Sequence, residues 1–135
     1  MTLYVDSSAM LKRYVDEPDS PLADRLLAAD PVLVTSRLTE LEVRHNLARL
    51  VATEKLEAVR RRFLSDLEAF AIVALDAIIC REAAIVAERT LCRSLDALHL
   101  ASARRIGPSV TVLTFDLRQA RVARSLGLEV VGAQA

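Results

Sequence analysis

Leu3-Tyr4-Val5-Asp6-Ser7-Ser8-Ala9 opens the chain with an apolar triplet, an acid and a pair of hydroxyls. A continuous apolar triplet, as opposed to an alternating one, is the pattern of a strand covered on both faces, as in a parallel sheet. The pattern returns at Val32-Leu33-Val34 and Val110-Thr111-Val112-Leu113, and more weakly at Ile72-Val73-Ala74-Leu75 and Leu128-Glu129-Val130-Val131. Between these stretches lie segments of helical character, at residues 7–15, 21–29, 36–53, 56–70, 77–91, 95–106 and 117–126, the last stopped by Gly127. Strands alternating with helices predict an α/β domain whose mostly parallel sheet lies between helical layers. Residues 132–135 read as a frayed tail.

A chain of 135 residues fits one domain, and at that size roughly two thirds of the unfolded chain's surface can be buried. Hydrophobic residues make up 53% of it, with 3 Gly and 4 Pro, which excludes the polar, Pro-rich signature of disorder. Lys plus Arg number 18 and so do Asp plus Glu, so the formal net charge is zero. Nucleic-acid binding would therefore come from a local patch, and a histone-like coating role is disfavoured. No apolar run approaches the roughly 20 residues of a membrane span, and Asp6 interrupts what a signal peptide would keep apolar, so a cytoplasmic protein is expected. Cys80 and Cys92 have no C-x-x-C spacing, and buried, reduced thiols are expected of them instead of a zinc site or a disulfide.

In an open parallel sheet, ligands bind beyond the carboxyl ends of the strands. Asp6 follows Leu3-Tyr4-Val5 directly, and Asp116 follows Val112-Leu113-Thr114-Phe115 directly. Each is equally accounted for as the N-cap of the next helix. Glu42 lies one and a half turns into the helix that opens near Ser36, too deep for capping. Helical geometry sets it beside Leu38, Leu41 and His45, while Glu40 falls on the opposite side and can pair with Arg44. If the core lies on the Leu38/Leu41 side, Glu42 is an inward carboxylate and Glu40 a surface acid. Asp96 occupies the first turn of a helix, where the dipole alone favours it. His99 and His45 read as hydrogen-bonded packing residues. Four carboxylates that converged would make an all-oxygen pocket suited to Mg²⁺ or Mn²⁺, and such a pocket is apt for phosphodiester hydrolysis.

Four stretches carry a resemblance: Val5-Asp6-Ser7-Ser8-Ala9, Ser36-Arg37-Leu38-Thr39-Glu40-Leu41-Glu42-Val43, Ser94-Leu95-Asp96-Ala97-Leu98-His99-Leu100-Ala101 and Leu113-Thr114-Phe115-Asp116. Together, in this order and over essentially the whole chain, they resemble the PIN-domain nucleases, and within them the VapC-type toxins of bacterial toxin–antitoxin pairs. The resemblance implies a single three-layer α/β/α PIN-like domain over residues 1–135 and a Mg²⁺- or Mn²⁺-dependent endoribonuclease. Its acidic quartet carries onto Asp6, Glu42, Asp96 and Asp116 as metal-holding and catalytic residues, with hydroxyls at Ser7 and Thr114. Asp6, Asp96 and one or both of the other acids would hold the metal, and Glu42 or Asp116 would hold or deprotonate the attacking water. Many relatives carry a further acid where this chain has Arg118, which implies one tight ion and a second recruited with substrate.

The resemblance further implies an RNA substrate, a cognate VapB-type antitoxin and a homodimer. The wide apolar arc of Leu38, Leu41, Val43, Leu47, Leu50 and Val51 lends the last some support. Lys12, Arg13, Arg118 and Arg121 are candidate phosphate contacts, and Arg60-Arg61-Arg62 reads as a surface run. The rival from another class is a catalytically inactive PIN-like module that binds a protein or RNA partner. A phosphatase built on Asp6 is disfavoured, because no acid stands two residues on. A dinucleotide-binding fold is disfavoured because no Gly-rich loop appears.

Overall fold

The computed structural model describes residues 2–29 and 32–133. Its strands are β1 (Thr2–Val5), β2 (Val32–Ser36), β3 (Ala71–Val73), β4 (Val110–Thr114) and β5 (Glu129–Gly132). Its helices are α1 (Ser7–Leu11), α2 (Ser20–Ala29), α3 (Arg37–Leu50), α4 (Thr53–Leu67), α5 (Ala77–Thr90), α6 (Ser94–Ile106) and α7 (Leu117–Ser125). The strands form one sheet in the order β3-β2-β1-β4-β5, and every pairing in it is parallel.

Side chains of a strand alternate between the two faces of the sheet, and this splits the core in two. Leu3 and Val5 of β1 and Leu113 of β4 face one way and pack with Met10, Val43, Leu47 and Phe63 from α1, α3 and α4. Tyr4, Val34, Val110 and Val112 face the other way, against Ala103 of α6. Ile79, Val86, Leu100 and Ala123 of α5, α6 and α7 complete that second layer. Continuous apolar strands are thus explained by helices on both faces, which is the three-layer α/β/α arrangement.

The chain builds outward from β1 through β2 to β3, then crosses back to β4 and β5. The direction of winding therefore reverses between β1 and β4, and a crevice opens at their carboxyl ends. Asp6 and Asp116 lie just beyond those ends.

Several sequence expectations need correction. The helix expected over 7–15 stops at Leu11, because the N–H groups of Lys12, Arg13 and Tyr14 turn to carbonyls only three residues back. The helix expected over 36–53 ends at Leu50, since Val51 is extended (ψ 140°) and α4 starts at Thr53. Gly132 is no frayed tail: it pairs with Thr114, and the Ala133 N–H donates to the Thr114 carbonyl at 2.8 Å. Its φ of +102° and the 2.5 Å that would separate an added Cβ from the Thr114 carbonyl oxygen explain why glycine stands there. Gln134 and Ala135, the rest of that segment, lie outside the described residues. Both cysteines are free, but neither is buried: Cys80 lies on the outer side of α5, whose inward residues are Ile79, Ala83 and Val86, and Cys92 is partly exposed beyond the helix end. No helix among the described residues is long and apolar enough to cross a membrane.

Candidate active site

An open pocket of about 380 Å³ lies at the β1/β4 crevice, and Asp6, Glu42, Asp96 and Asp116 all line it. The four acids arrive from four elements. Asp6 and Asp116 follow the central strands, Glu42 comes from α3 behind β2, and Asp96 comes from the first turn of α6. Another pocket, between α5 and α6, gathers one acid, Glu82, beside Arg104 and Arg105, and offers no comparable cluster.

Asp6 and Asp116 are both caps and pocket residues, because a carboxylate has two oxygens. Asp6 Oδ1 accepts from the Ala9 N–H at 2.9 Å and from the Ser8 hydroxyl at 2.7 Å, which caps α1. Its Oδ2 accepts from the Thr114 hydroxyl at the end of β4. Asp116 Oδ1 accepts from the N–H groups of Arg118 and Gln119, and its Oδ2 faces Arg93. Asp6 is only 2% exposed. Burial pushes its pKa up, and the positive charge of His99 with the bonds from Thr114, Ala9 and Ser8 offsets only part of that rise.

Glu42 is held by a buried chain of hydrogen bonds. The Ser7 hydroxyl donates to Glu42 Oε1 at 2.5 Å, and His99 Nε2 lies 2.6 Å from the same oxygen. His99 Nδ1 lies 2.7 Å from the hydroxyl of Tyr4, which is wholly buried. Burial and the neighbouring Asp6 charge hold the Tyr4 pKa well above its usual value, so the hydroxyl keeps its proton. The Tyr4 hydroxyl and Glu42 Oε1 thus engage both ring nitrogens of His99, with the Nε2–H donating to Glu42. Burial pushes the Glu42 pKa up, but the bond and charge of His99, the Ser7 hydroxyl and the Arg93 charge outweigh it, and the net shift is downward. His99 is a hydrogen-bonded packing residue, as its sequence context suggests.

The core side of α3 differs from the expected one. Leu38, Thr39, Val43 and Leu47 are buried, whereas Leu41 is 68% exposed. Glu42 reaches the pocket from the border of the two faces. Glu40 pairs with Arg44 at 3.1 Å and Arg37 at 3.5 Å outside the pocket. The expected phosphate contacts just after α1 are already engaged: Lys12 pairs with Glu17 at 3.0 Å, and Arg13 approaches Asp66 at 4.0 Å. Arg118 and Arg121 are exposed on α7 and are not among the pocket's lining residues.

Arg93 is the residue that sequence reading passes over. Its Nε donates to Asp96 Oδ2 at 2.8 Å and its Nη2 to Asp96 Oδ1 at 3.3 Å and Asp116 Oδ2 at 2.8 Å. Only the i,i+3 spacing from Asp96 could have hinted at it. Gln119 is also unanticipated: it is buried against the pocket, and its Nε2 has no hydrogen-bond partner among the described residues.

The donor set fits a hard divalent cation in kind, since it is all carboxylate and hydroxyl oxygen with no thiol. Among the described residues no three His, Cys, Asp or Glu side chains are grouped to hold an ion as they stand. Asp96 and Asp116 give their free oxygens to Arg93, so an ion using them would compete with a guanidinium.

The sheet is doubly wound and parallel, and its acidic pocket lies at the switch point. The family model for the PIN domain matches residues 3–125, and the chain belongs to that family. Ribonuclease VapC46 of Mycobacterium tuberculosis is 35% identical over 130 residues, covering 96% of this chain and 95% of that protein. Ribonuclease VapC35 of the same organism is 38% identical over 134 residues, with 96% and 95% covered. Among solved structures, VapBC-5 of M. tuberculosis, a member of the VapBC family of toxin–antitoxin systems, superposes with a TM-score of 0.67 at 18% identity, covering 97% of this chain and 98% of that one.

Proposed function

We propose that this protein is a divalent-metal-dependent endoribonuclease, the toxin of a toxin–antitoxin pair, working as a single PIN domain in the cytoplasm. The observation that carries the reading is the meeting of Asp6, Glu42, Asp96 and Asp116 in one pocket at the switch point of the sheet. Relatives named ribonuclease at 35% and 38% identity over nearly the whole chain support the RNA substrate.

In this reading Asp6, Asp96 and Asp116 hold Mg²⁺ or Mn²⁺. A bound divalent ion lowers the pKa of water and neutralises charge on a scissile phosphate. Thr114 and Ser8 hold the buried Asp6 carboxylate in one orientation. Glu42, fixed by His99 and Ser7 and kept ionised, orients the attacking water; its lowered pKa makes it a better holder of a proton donor than a strong base.

A VapB-type antitoxin is the expected partner, supported by the toxin–antitoxin likeness of fold. A homodimer is expected too. Leu41 at 68% and Leu50 at 46% exposure leave apolar surface on α3 that a second protein surface would cover.

The test is cleavage of a labelled RNA by four single variants, Asp6→Asn, Glu42→Gln, Asp96→Asn and Asp116→Asn, each shown to be folded. Losses of about 10²-fold or more in each support the quartet, in keeping with what a positioned acid–base or metal-holding group contributes. Four variants as active as the parent would leave the binding module as the better reading.

A further inference from the structure

Among the described residues lining the acidic pocket, Arg93 is the only Lys or Arg. Its guanidinium takes both oxygens of Asp96 and the one oxygen of Asp116 not engaged in capping α7. These are oxygens a divalent ion would use, and one carboxylate oxygen does not serve a guanidinium and a dication equally well. Arg93 is also free to leave. Its side chain is 55% exposed, and although it occupies the N-cap position of α6 its side chain makes no capping bond there. Lys12, by contrast, is bound to Glu17 and is 12% exposed.

We propose that Arg93 is exchanged between two anions: it holds Asp96 and Asp116 until a divalent cation takes them, and it then binds a phosphate of the RNA. The inference rests on the nuclease reading above. A planar guanidinium fork matches a phosphate bidentately as well as it matches a carboxylate. Arg93 is thus both a competitor of the metal and a substrate-binding residue.

The alternative, that Arg93 is a clamp which preassembles the acids for the metal, predicts the opposite sign. Mn²⁺ binding, followed by electron paramagnetic resonance without RNA, separates the two in Arg93→Met, which keeps the reach of the side chain and loses its charge. Arg93→Lys keeps the charge without the fork, and thermal melts establish that both variants are folded. Removing the competitor should tighten Mn²⁺ binding about three- to tenfold in Arg93→Met, the size expected for a half-exposed ion pair. At saturating Mn²⁺ the KM for a labelled single-stranded RNA should rise about tenfold with kcat changed much less, and Arg93→Lys should fall between parent and Arg93→Met in both measurements. Unchanged or weaker Mn²⁺ binding in Arg93→Met overturns the exchange, and tighter Mn²⁺ with an unchanged KM overturns the hand-over to RNA. A parent protein that binds Mn²⁺ and cuts RNA while Arg93→Met binds no tighter sinks the inference alone. A parent that does neither sinks the nuclease reading as well.

Discussion

His99 Nε2 lies 2.6 Å from Glu42 Oε1, joining a buried residue of α6 to the one acid of the pocket that comes from mid-helix. Asp6 and Asp116 are fixed by the helix ends they cap, and Asp96 by the first turn of its helix. Glu42 has no such local support, so a partner 57 residues away supplies it.

The first prediction concerns this chain of hydrogen bonds. His99→Leu should lower kcat about 10- to 100-fold with KM little changed, the range seen when an orienting partner of a site carboxylate is lost. Tyr4→Phe removes one buried donor and should cost about 1 kcal/mol of stability while leaving most of the activity. Steady-state cleavage and denaturant unfolding of the two variants check this.

A second prediction follows from the raised pKa of Asp6. Burial is the main cause of the shift, so folding favours the protonated form, and the ionised group opposes folding at neutral pH. The stabilising contribution of protonated Asp6 is full below the ordinary carboxylate pKa and is lost as pH rises through the elevated folded value. Asp6→Asn, which keeps a capping side chain, should therefore melt higher than the parent at pH 7 in EDTA, and the gap should close as pH falls below the ordinary carboxylate range. A parent that melts higher than Asp6→Asn at pH 7 in EDTA would contradict this account.

The two glycines at the end of the chain should behave differently. At Gly132 an added Cβ stands 2.5 Å from the Thr114 carbonyl oxygen, whereas at Gly127 it meets nothing within 4 Å, though φ is +80°. Gly127→Ala should cost about 1 kcal/mol, the left-handed strain alone. Gly132→Ala adds a backbone clash and should cost about 2–4 kcal/mol. It should also slow cleavage, because Thr114 holds Asp6. Parallel thermal denaturation of the two variants measures the difference.

Leu91 ends α5 with φ 58° and is 87% exposed. A leucine there carries left-handed strain and little burial in return, so Leu91→Gly should stabilise the protein by about 0.5–1 kcal/mol. Calorimetry reads this directly, and activity should be unaffected.

The three central strands are legible in the sequence because each is apolar enough to be covered from both sides, whereas the edge pair at Ile72 and Val130 gives a weaker signal because those strands are only partly buried. Asp6 and Asp116 are legible because a strand end at a switch point is a place and not only a residue type. The facing of α3 is not, since Leu38 and Leu41 are equally apolar and only the packed sheet decides that Leu41 stays outside. Arg93 is hidden for another reason. Its contact with Asp96 is local, but its bond to Asp116 spans 23 residues and exists only once α6 and β4 are side by side. Cys80 is misread as buried because thiols usually are, while its position on α5 is set by Ile79, Ala83 and Val86 facing inward.

In the proposed function the acidic pocket cuts RNA with a divalent ion. Purified protein free of any partner, incubated with total cellular RNA in Mg²⁺ or Mn²⁺ and again in EDTA, tests it beside a folded Asp6→Asn/Asp96→Asn variant. Discrete fragments that need the metal and vanish in the variant are expected; cleavage that persists in EDTA or in the variant, or no cleavage by folded protein under any of these conditions, would overturn the nuclease reading.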